Sequence, residues 1–208
     1  MTLEQMLKLA PVVPVLVIDR LDQAAPLARA LVAGGLPLLE VTLRTPVALE
    51  AIRLIAQEVE GAVVGAGTVL NPGQAKDCAL AGARFAVSPG FSAALSRETP
   101  IPLLPGVSTA TEAMAAIDAG HLFAKLFPAE AVGGRALLKA LHGPLPQLTF
   151  CPTGGVTLQN APAYLALDNV VCVGGSWIAP KAMVEAGDWS GIEALARQAA
   201  GLVAGSQA

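Results

Sequence analysis

"LPLLEVTLRTPVALEAIRLIAQEVEGAVVGAGTVLNP" runs from Leu36 to Pro72. Its two ends, "LPLLEVTL" and "AVVGAGT", are short and rich in Leu and Val. Its middle is an Ala-, Leu- and Ile-rich stretch that stops at Gly61, as helix C-termini often do. The segment therefore reads as strand, helix, strand. The strand parts are apolar nearly throughout, which suits parallel strands covered on both faces. The pattern repeats in both directions. "VVPVLVI", "RFAVSP", "IPLLPGVS", "LFAKLFP", "QLTFCPTGG" and "VVCVGGSW" read as further strands. Stretches such as "LDQAAPLARALVAGG" and "TEAMAAIDAG" read as helices between them. "MTLEQMLKLA" looks like an extra helix before the first strand, and "GDWSGIEALARQAAGLVAGS" should contain the last helix. Eight strand–helix units in 208 residues predict an α/β chain. The expected architecture is a single-domain (β/α)8 TIM barrel over residues 1–208, with an open doubly wound sheet as the competing one.

Composition narrows the function classes. Hydrophobic residues make up 54% and charged residues 14%. That is enough for a large core, and it suggests some apolar surface hidden in an oligomer. Net charge is −3 and no basic run occurs, so no nucleic-acid partner is expected. No uncharged stretch is long and apolar enough to span a bilayer, and no membrane association is expected. Two prolines interrupt the apolar "LAPVVPVLVIDR", which argues against a secretory signal. Cys78, Cys151 and Cys172 are odd in number and widely spaced, without a disulfide or zinc pattern. A cytoplasmic location fits that usage. His121 and His142 have no spaced partner, so a His-rich zinc site is not expected; a carboxylate-bound magnesium is left open by that count.

Side chains alternate along a strand. In "LPLLEVTLRT" one face carries Leu39, Val41 and Leu43, and the other carries Leu38, Glu40, Thr42 and Arg44. The aliphatic set should pack on helices and the mixed set should face the interior. Glu40 and Arg44 would lie roughly 13 Å apart along the strand. Glu40 is then the deeper residue, and Arg44 sits at the carboxyl end, where barrel active sites open. In "LFAKLFPAE", Phe123, Lys125 and Phe127 share one face and Leu122, Ala124 and Leu126 the other. Facing inward, Lys125 would share the interior with Glu40. A structural Lys–Glu bridge is one reading, although buried pairs stabilise weakly. A nucleophile is the other. Free lysine is only ~0.1% neutral at pH 7.4, and apolar burial disfavours the ammonium form of such a side chain. A neutral amine can attack a ketone to form a Schiff base, whose iminium is an electron sink.

Two glycine-rich stretches follow the seventh and eighth strands: "CPTGGVT", with Thr153, Gly154 and Gly155, and "VGGSW", with Gly174, Gly175 and Ser176. Loops at these places commonly hold phosphate, because backbone N–H groups can approach an anion there. One such pair could be a turn and no more, but two in corresponding positions favour phosphate over turns alone. In "VGAGTVLNP" parity puts Val64, Ala66 and Thr68 on one face; if that face is inward, Thr68 offers a hydroxyl near the mouth. Asn71 before Pro72 is expected to cap a helix.

"LEVTLRT", "VGAGTVLNP", "SPGF", "PLLPGVST", "AKLFPAE", "FCPTGGV" and "VGGSW" occur in that order along nearly the whole chain. In these motifs the sequence closely resembles the bacterial 2-keto-3-deoxy-6-phosphogluconate aldolases, a family that also acts on 2-keto-4-hydroxyglutarate. The resemblance implies a homotrimeric barrel and a class I aldolase, with no metal and no cofactor. It implies that Lys125 forms the Schiff base and that Glu40 is the general acid/base, working through a bound water. Arg44 and Thr68 would hold the pyruvate carboxylate. Thr153 would contact the C4 hydroxyl region, and Gly154, Gly155, Gly175 and Ser176 the distant phosphate. The substrate would be a keto-acid phosphate, with a galactonate-epimer aldolase or a non-aldolase phosphate-binding barrel as alternatives. Leu126 departs from the phenylalanine of well-known members, and by parity it should face the helices.

Overall fold

The structure, a computed structural model, describes residues 1–202. The final residues of the "GDWSGIEALARQAAGLVAGS" segment, like the rest of the tail, lie outside the described residues. The strands are β1 (Val12–Leu16), β2 (Leu38–Thr42), β3 (Val63–Gly67), β4 (Ala86–Val87), β5 (Leu103–Leu104), β6 (Gly106–Val107), β7 (Phe123–Leu126), β8 (Thr149–Pro152) and β9 (Val173–Gly175). The α-helices are α1 (Leu3–Leu7), α2 (Ala24–Ala33), α3 (Ala48–Glu58), α4 (Pro72–Leu80), α5 (Ala93–Glu98), α6 (Ala110–Asp118), α7 (Gly134–His142), α8 (Ala161–Leu165), α9 (Lys181–Ala186) and α10 (Trp189–Ala200). The chain is thus α/β, with a helix before the first strand and the last helix where it was expected.

Strand pairing is parallel throughout. Among the described residues the strands form a six-stranded sheet, β5-β4-β3-β2-β1-β9, and a three-stranded sheet, β6-β7-β8. The run "IPLLPGVS", expected as one strand, is divided at Pro105. Proline has no N–H to give to a ladder, so a central strand is interrupted there. Its carbonyl still accepts from Lys125 N–H at 2.8 Å. At the other side an isolated parallel bridge joins Thr153 to Gly174, linking β8 to β9. The result is a curled parallel sheet.

Two apolar clusters lie on the two faces of this sheet. The outer one holds Leu39, Val41, Val64, Ala66, Ala124, Leu126 and Phe150 with the helices. The inner one holds Val13, Leu38, Phe85, Val87, Leu104, Cys151 and Cys172, with Val63 and Phe123 against it. Several of these are first residues of their strands. Met6 and Leu7 of α1 join the same cluster, so this helix packs against the amino ends of the strands. Thr2 starts α1 with a capping box closed by Gln5. Parity is thus correct for β2 and β7, including Leu126, which is fully buried on the helix side. For β3 the conditional reading fails: Val64 and Ala66 pack outward, and Val63, Gly65 and Gly67 take the inner face. Asn71 caps α4 as expected, its Oδ1 accepting from Gln74 N–H at 2.9 Å, with Pro72 at the first turn.

Candidate active site

Lys125 and Glu40 approach one another across the interior. They belong to different sheets, on β7 and β2, and are 85 residues apart in sequence. Lys125 Nζ donates to Glu40 Oε1 at 3.0 Å and lies 3.5 Å from Oε2. The two side chains are only 7% and 4% exposed. Nζ also sits 5.2 Å from the centroid of the Phe127 ring, which places that ring on the lysine's side as parity required. A buried pair of this kind adds little net stability, because desolvation of both charges opposes their attraction. What it does supply is a short path for a proton between an amine and a carboxylate.

The carboxylate can occupy this position because the neighbouring strand offers no side chain. Glu40 pairs with Gly65 and Thr42 with Gly67 in the β2–β3 ladder. A β-carbon at Gly65 would lie 2.3 Å from the Phe85 ring, and one at Gly67 would lie 2.3 Å from Glu40 Oε1. Thr42, also inward, is buried and satisfied: its hydroxyl donates to Leu16 O at 2.8 Å.

The other expected site residues are distributed around the carboxyl ends of the strands. Arg44 is not a strand residue, since β2 stops at Thr42, and alternation no longer orients it. It is exposed and lines a cavity of about 520 Å3 together with Ser176, Val15 and Gln23. Val15 is the ladder partner of Glu40, so the cavity adjoins the buried pair. Asp19 and Lys181 line the same cavity as an ion pair at 3.3 Å, with Glu185 3.6 Å from the lysine. Hydrogen bonding to Asp19 holds the Lys181 ammonium above its ordinary pKa. Neither Asp19 nor Lys181 carried a signal in the sequence, since both look like ordinary surface charges.

Thr68 follows β3 with φ of 59°, the one non-glycine residue with positive φ among the described residues. Such a conformation in a β-branched residue is strained and breaks the alternation expected from β3. Thr153 is buried, its hydroxyl 3.4 Å from Cys151 O and pressed against Gly174, where a β-carbon would lie 2.2 Å from Thr153 Oγ1. Gly154 and Gly155 have φ of 99° and 78°. Their loop is tied to the segment after β7: Ala129 N–H donates to Thr153 O at 2.8 Å and Glu130 N–H to Gly154 O at 3.0 Å. Gly155 also leaves room for Glu130, whose β-carbon would otherwise be 2.7 Å away. Gly175 is covered by Trp177, whose ring would meet a β-carbon there at 1.7 Å. Arg44 and Ser176 therefore share a cavity, whereas Gly154 and Gly155 are not among the residues that line it.

The cysteines are free and buried. Burial, and then Asp77, push the Cys78 thiol up to about 11. The Cys172 thiol is raised well above its ordinary value by its hydrogen bond with Cys151 and then by burial. Thiols held protonated are poor nucleophiles. At pH 8 the native protein should therefore resist alkylation at Cys78 and Cys172, whereas the denatured chain reacts at all three cysteines; comparable native and denatured rates would contradict this. Among the described residues no group of three or more His, Cys, Asp and Glu side chains is placed to hold a metal ion. None of the described helices is long and apolar enough to cross a membrane.

The fold and site together make this an α/β protein whose curled parallel sheet holds a buried lysine facing a carboxylate across its interior. The chain belongs to the KDPG and KHG aldolase family, whose family model matches residues 3–195. It is 54% identical to the 2-dehydro-3-deoxy-phosphogluconate aldolase of Dickeya dadantii, over 99% of this chain and 96% of that one. It is 53% identical to the KHG/KDPG aldolase of Escherichia coli K12, over 94% and 93% of the two chains. A crystal structure of the Legionella pneumophila KDPG aldolase superposes with a TM-score of 0.92 at 46% identity, covering 95% of this chain and 97% of that one. In that crystal, pyruvate was captured at low pH as a covalent carbinolamine.

Proposed function

We propose that this chain is a class I aldolase. It reversibly cleaves 2-dehydro-3-deoxy-6-phosphogluconate to pyruvate and glyceraldehyde 3-phosphate, and 4-hydroxy-2-oxoglutarate to pyruvate and glyoxylate. The observation that carries the reading is the buried Lys125–Glu40 pair, Nζ to Oε1 3.0 Å, next to a cavity holding Arg44. The Legionella relative's carbinolamine with pyruvate supports the same chemistry.

The steps follow from the groups present. Glu40 takes the proton that Lys125 must lose before it can attack. The neutral Nζ adds to the C2 carbonyl; Glu40 then gives its proton to the carbinolamine hydroxyl, which leaves as water, so that an iminium forms and Glu40 is again a carboxylate. Glu40, through a bound water, then removes the C4 hydroxyl proton. The C3–C4 bond breaks, its electron pair moving toward the iminium nitrogen. Glyceraldehyde 3-phosphate leaves, and an enamine of pyruvate stays on Lys125. Glu40, through the same water, returns that proton to C3, and addition of water to the resulting iminium releases pyruvate and restores the amine. Arg44, exposed at the cavity wall, has a planar fork matched to the pyruvate carboxylate. Thr68 lies with it at the carboxyl ends. Thr153 is the contact to the C4 region, and Gly154, Gly155, Gly175 and Ser176 form the phosphate end, where backbone N–H groups suit an anion.

The same reading includes a closed (β/α)8 barrel, a homotrimer and a cytoplasmic location. The Thr153–Gly174 bridge and the short break at Pro105 support closure, because they join the two sheets edge to edge. Exposed Leu80 and Met114 support burial of further surface between copies. Free cysteines suit a reducing compartment.

Two experiments test the site. Borohydride added with pyruvate should give a covalent adduct on the peptide containing Lys125; no adduct under conditions that trap a class I aldolase would refute the proposal. Thr68→Gly should leave stability unchanged or raise it by up to about 1 kcal/mol, because strain is released. The same change should weaken pyruvate binding by roughly tenfold, through loss of a hydrogen bond to a charged group. Unaltered pyruvate affinity would take Thr68 out of the carboxylate site.

A further inference from the structure

Gly67 closes β3 on the inner face and pairs with Thr42, two residues beyond Glu40 on the adjacent strand. Its backbone is that of an ordinary strand residue; it is not among the glycines with positive φ. Conformational freedom therefore does not explain a glycine here. Space does. A β-carbon at this position would lie 2.3 Å from Glu40 Oε1, 2.7 Å from Cγ and 2.9 Å from Cδ, and these are its three nearest atoms. The volume that a side chain at 67 would fill is occupied by the Glu40 carboxylate, and the same Oε1 accepts from Lys125 Nζ at 3.0 Å. Gly65, two residues earlier, differs. The space above it holds the Phe85 ring and so serves core packing.

We propose that Gly67 is a positioning residue for the reaction: having no side chain, it seats the Glu40 carboxylate against Lys125. A strand glycine gives up side-chain packing and conformational entropy, and here that loss is matched to one carboxylate orientation. Any side chain at 67 turns Glu40 away from the lysine and from the water that it must activate. The inference rests on the acid/base role assigned to Glu40 in the aldolase reading.

The test is Gly67→Ala, alone and combined with changes at Glu40. In Gly67→Ala, kcat should fall by about 10²-fold, as for a displaced general base, while KM stays within about threefold. The limb of the kcat–pH profile that depends on Glu40 should shift, and borohydride should still trap pyruvate on Lys125, more slowly, with water taking the lysine's proton. In a Glu40→Gln background, Gly67→Ala should add no further loss, because residues acting as one unit are not additive. A Gly67→Ala enzyme with wild-type kcat and pH profile, or losses that multiply in the double variant, would overturn the inference. If Gly67→Ala does not fold, stability supplies the readout. Glu40→Ala removes all three nearest atoms, so Glu40→Ala/Gly67→Ala should unfold at the midpoint of Glu40→Ala or slightly above it, because alanine loses less backbone entropy on folding than glycine. A lower midpoint in the double variant overturns the proposal. Absence of the pyruvate adduct in the wild-type protein would strike the aldolase reading instead, so the two failures are distinguishable.

Discussion

Replacing Lys125 with alanine should abolish the borohydride-trapped pyruvate adduct and lower aldol cleavage by more than about 10⁴-fold. The expectation is large because the covalent step has no substitute. Among the described residues Lys125 is the one lysine that is buried. Lys181, at the cavity rim, sits in water instead, its side chain 73% exposed and paired to Asp19 and Glu185. The same change leaves Glu40, only 4% exposed, without its cation, so stability should also fall, by about 3–5 kcal/mol. A far-ultraviolet dichroism spectrum and a melting curve separate lost chemistry from lost fold. A folded Lys125→Ala protein with near-normal turnover would disprove the imine mechanism.

Glu40→Gln isolates the proton transfer. The amide has nearly the same shape, fits the same space beside Gly67, and can still accept from Lys125 Nζ. It cannot take a proton. Turnover should fall by roughly 10²–10⁴-fold, the usual range for a lost general acid/base. Pyruvate should still be trapped on Lys125, though more slowly, since the amine remains and loses its proton to water instead of to residue 40. Stopped-flow or steady-state cleavage assays with the phosphorylated keto acid measure the first effect, and peptide mass spectrometry the second. An unchanged turnover would remove Glu40 from its role and leave the pair as a structural bridge.

The two variants depend on features of unequal legibility. Parity placed Glu40 and Lys125 on the inner face correctly because each sits within an unbroken strand of four or five residues, with aliphatic neighbours on the other side. It does not orient what lies past the strand ends. β2 ends at Thr42, two residues before Arg44, and Thr68 turns to φ of 59° one residue after β3. In β3 itself both faces are small or apolar, so period-two reasoning gave two faces without saying which was inner. The inner positions Gly65 and Gly67 carry no side chain, and a residue's usefulness as empty space leaves no hydropathy signal. Pro105 likewise divided a run that composition alone made continuous.

Residue order alone carries the α/β class, the order of the strand–helix units, and the presence of one lysine and one glutamate on apolar strands where packing gives them no reason to be. Motif order along the chain also determined the family. Those properties are local or one-dimensional: alternation, helix caps and turn chemistry act over a few residues, and a motif is read along the chain. Only the tertiary structure decided that Lys125 meets Glu40 at 3.0 Å, that Arg44 and Ser176 share a cavity, and that Gly67 is the space in which the carboxylate sits. The physical reason is separation. The lysine and the glutamate are 85 residues apart on strands of different sheets, and their meeting follows from how a parallel sheet curls, which no local pattern encodes.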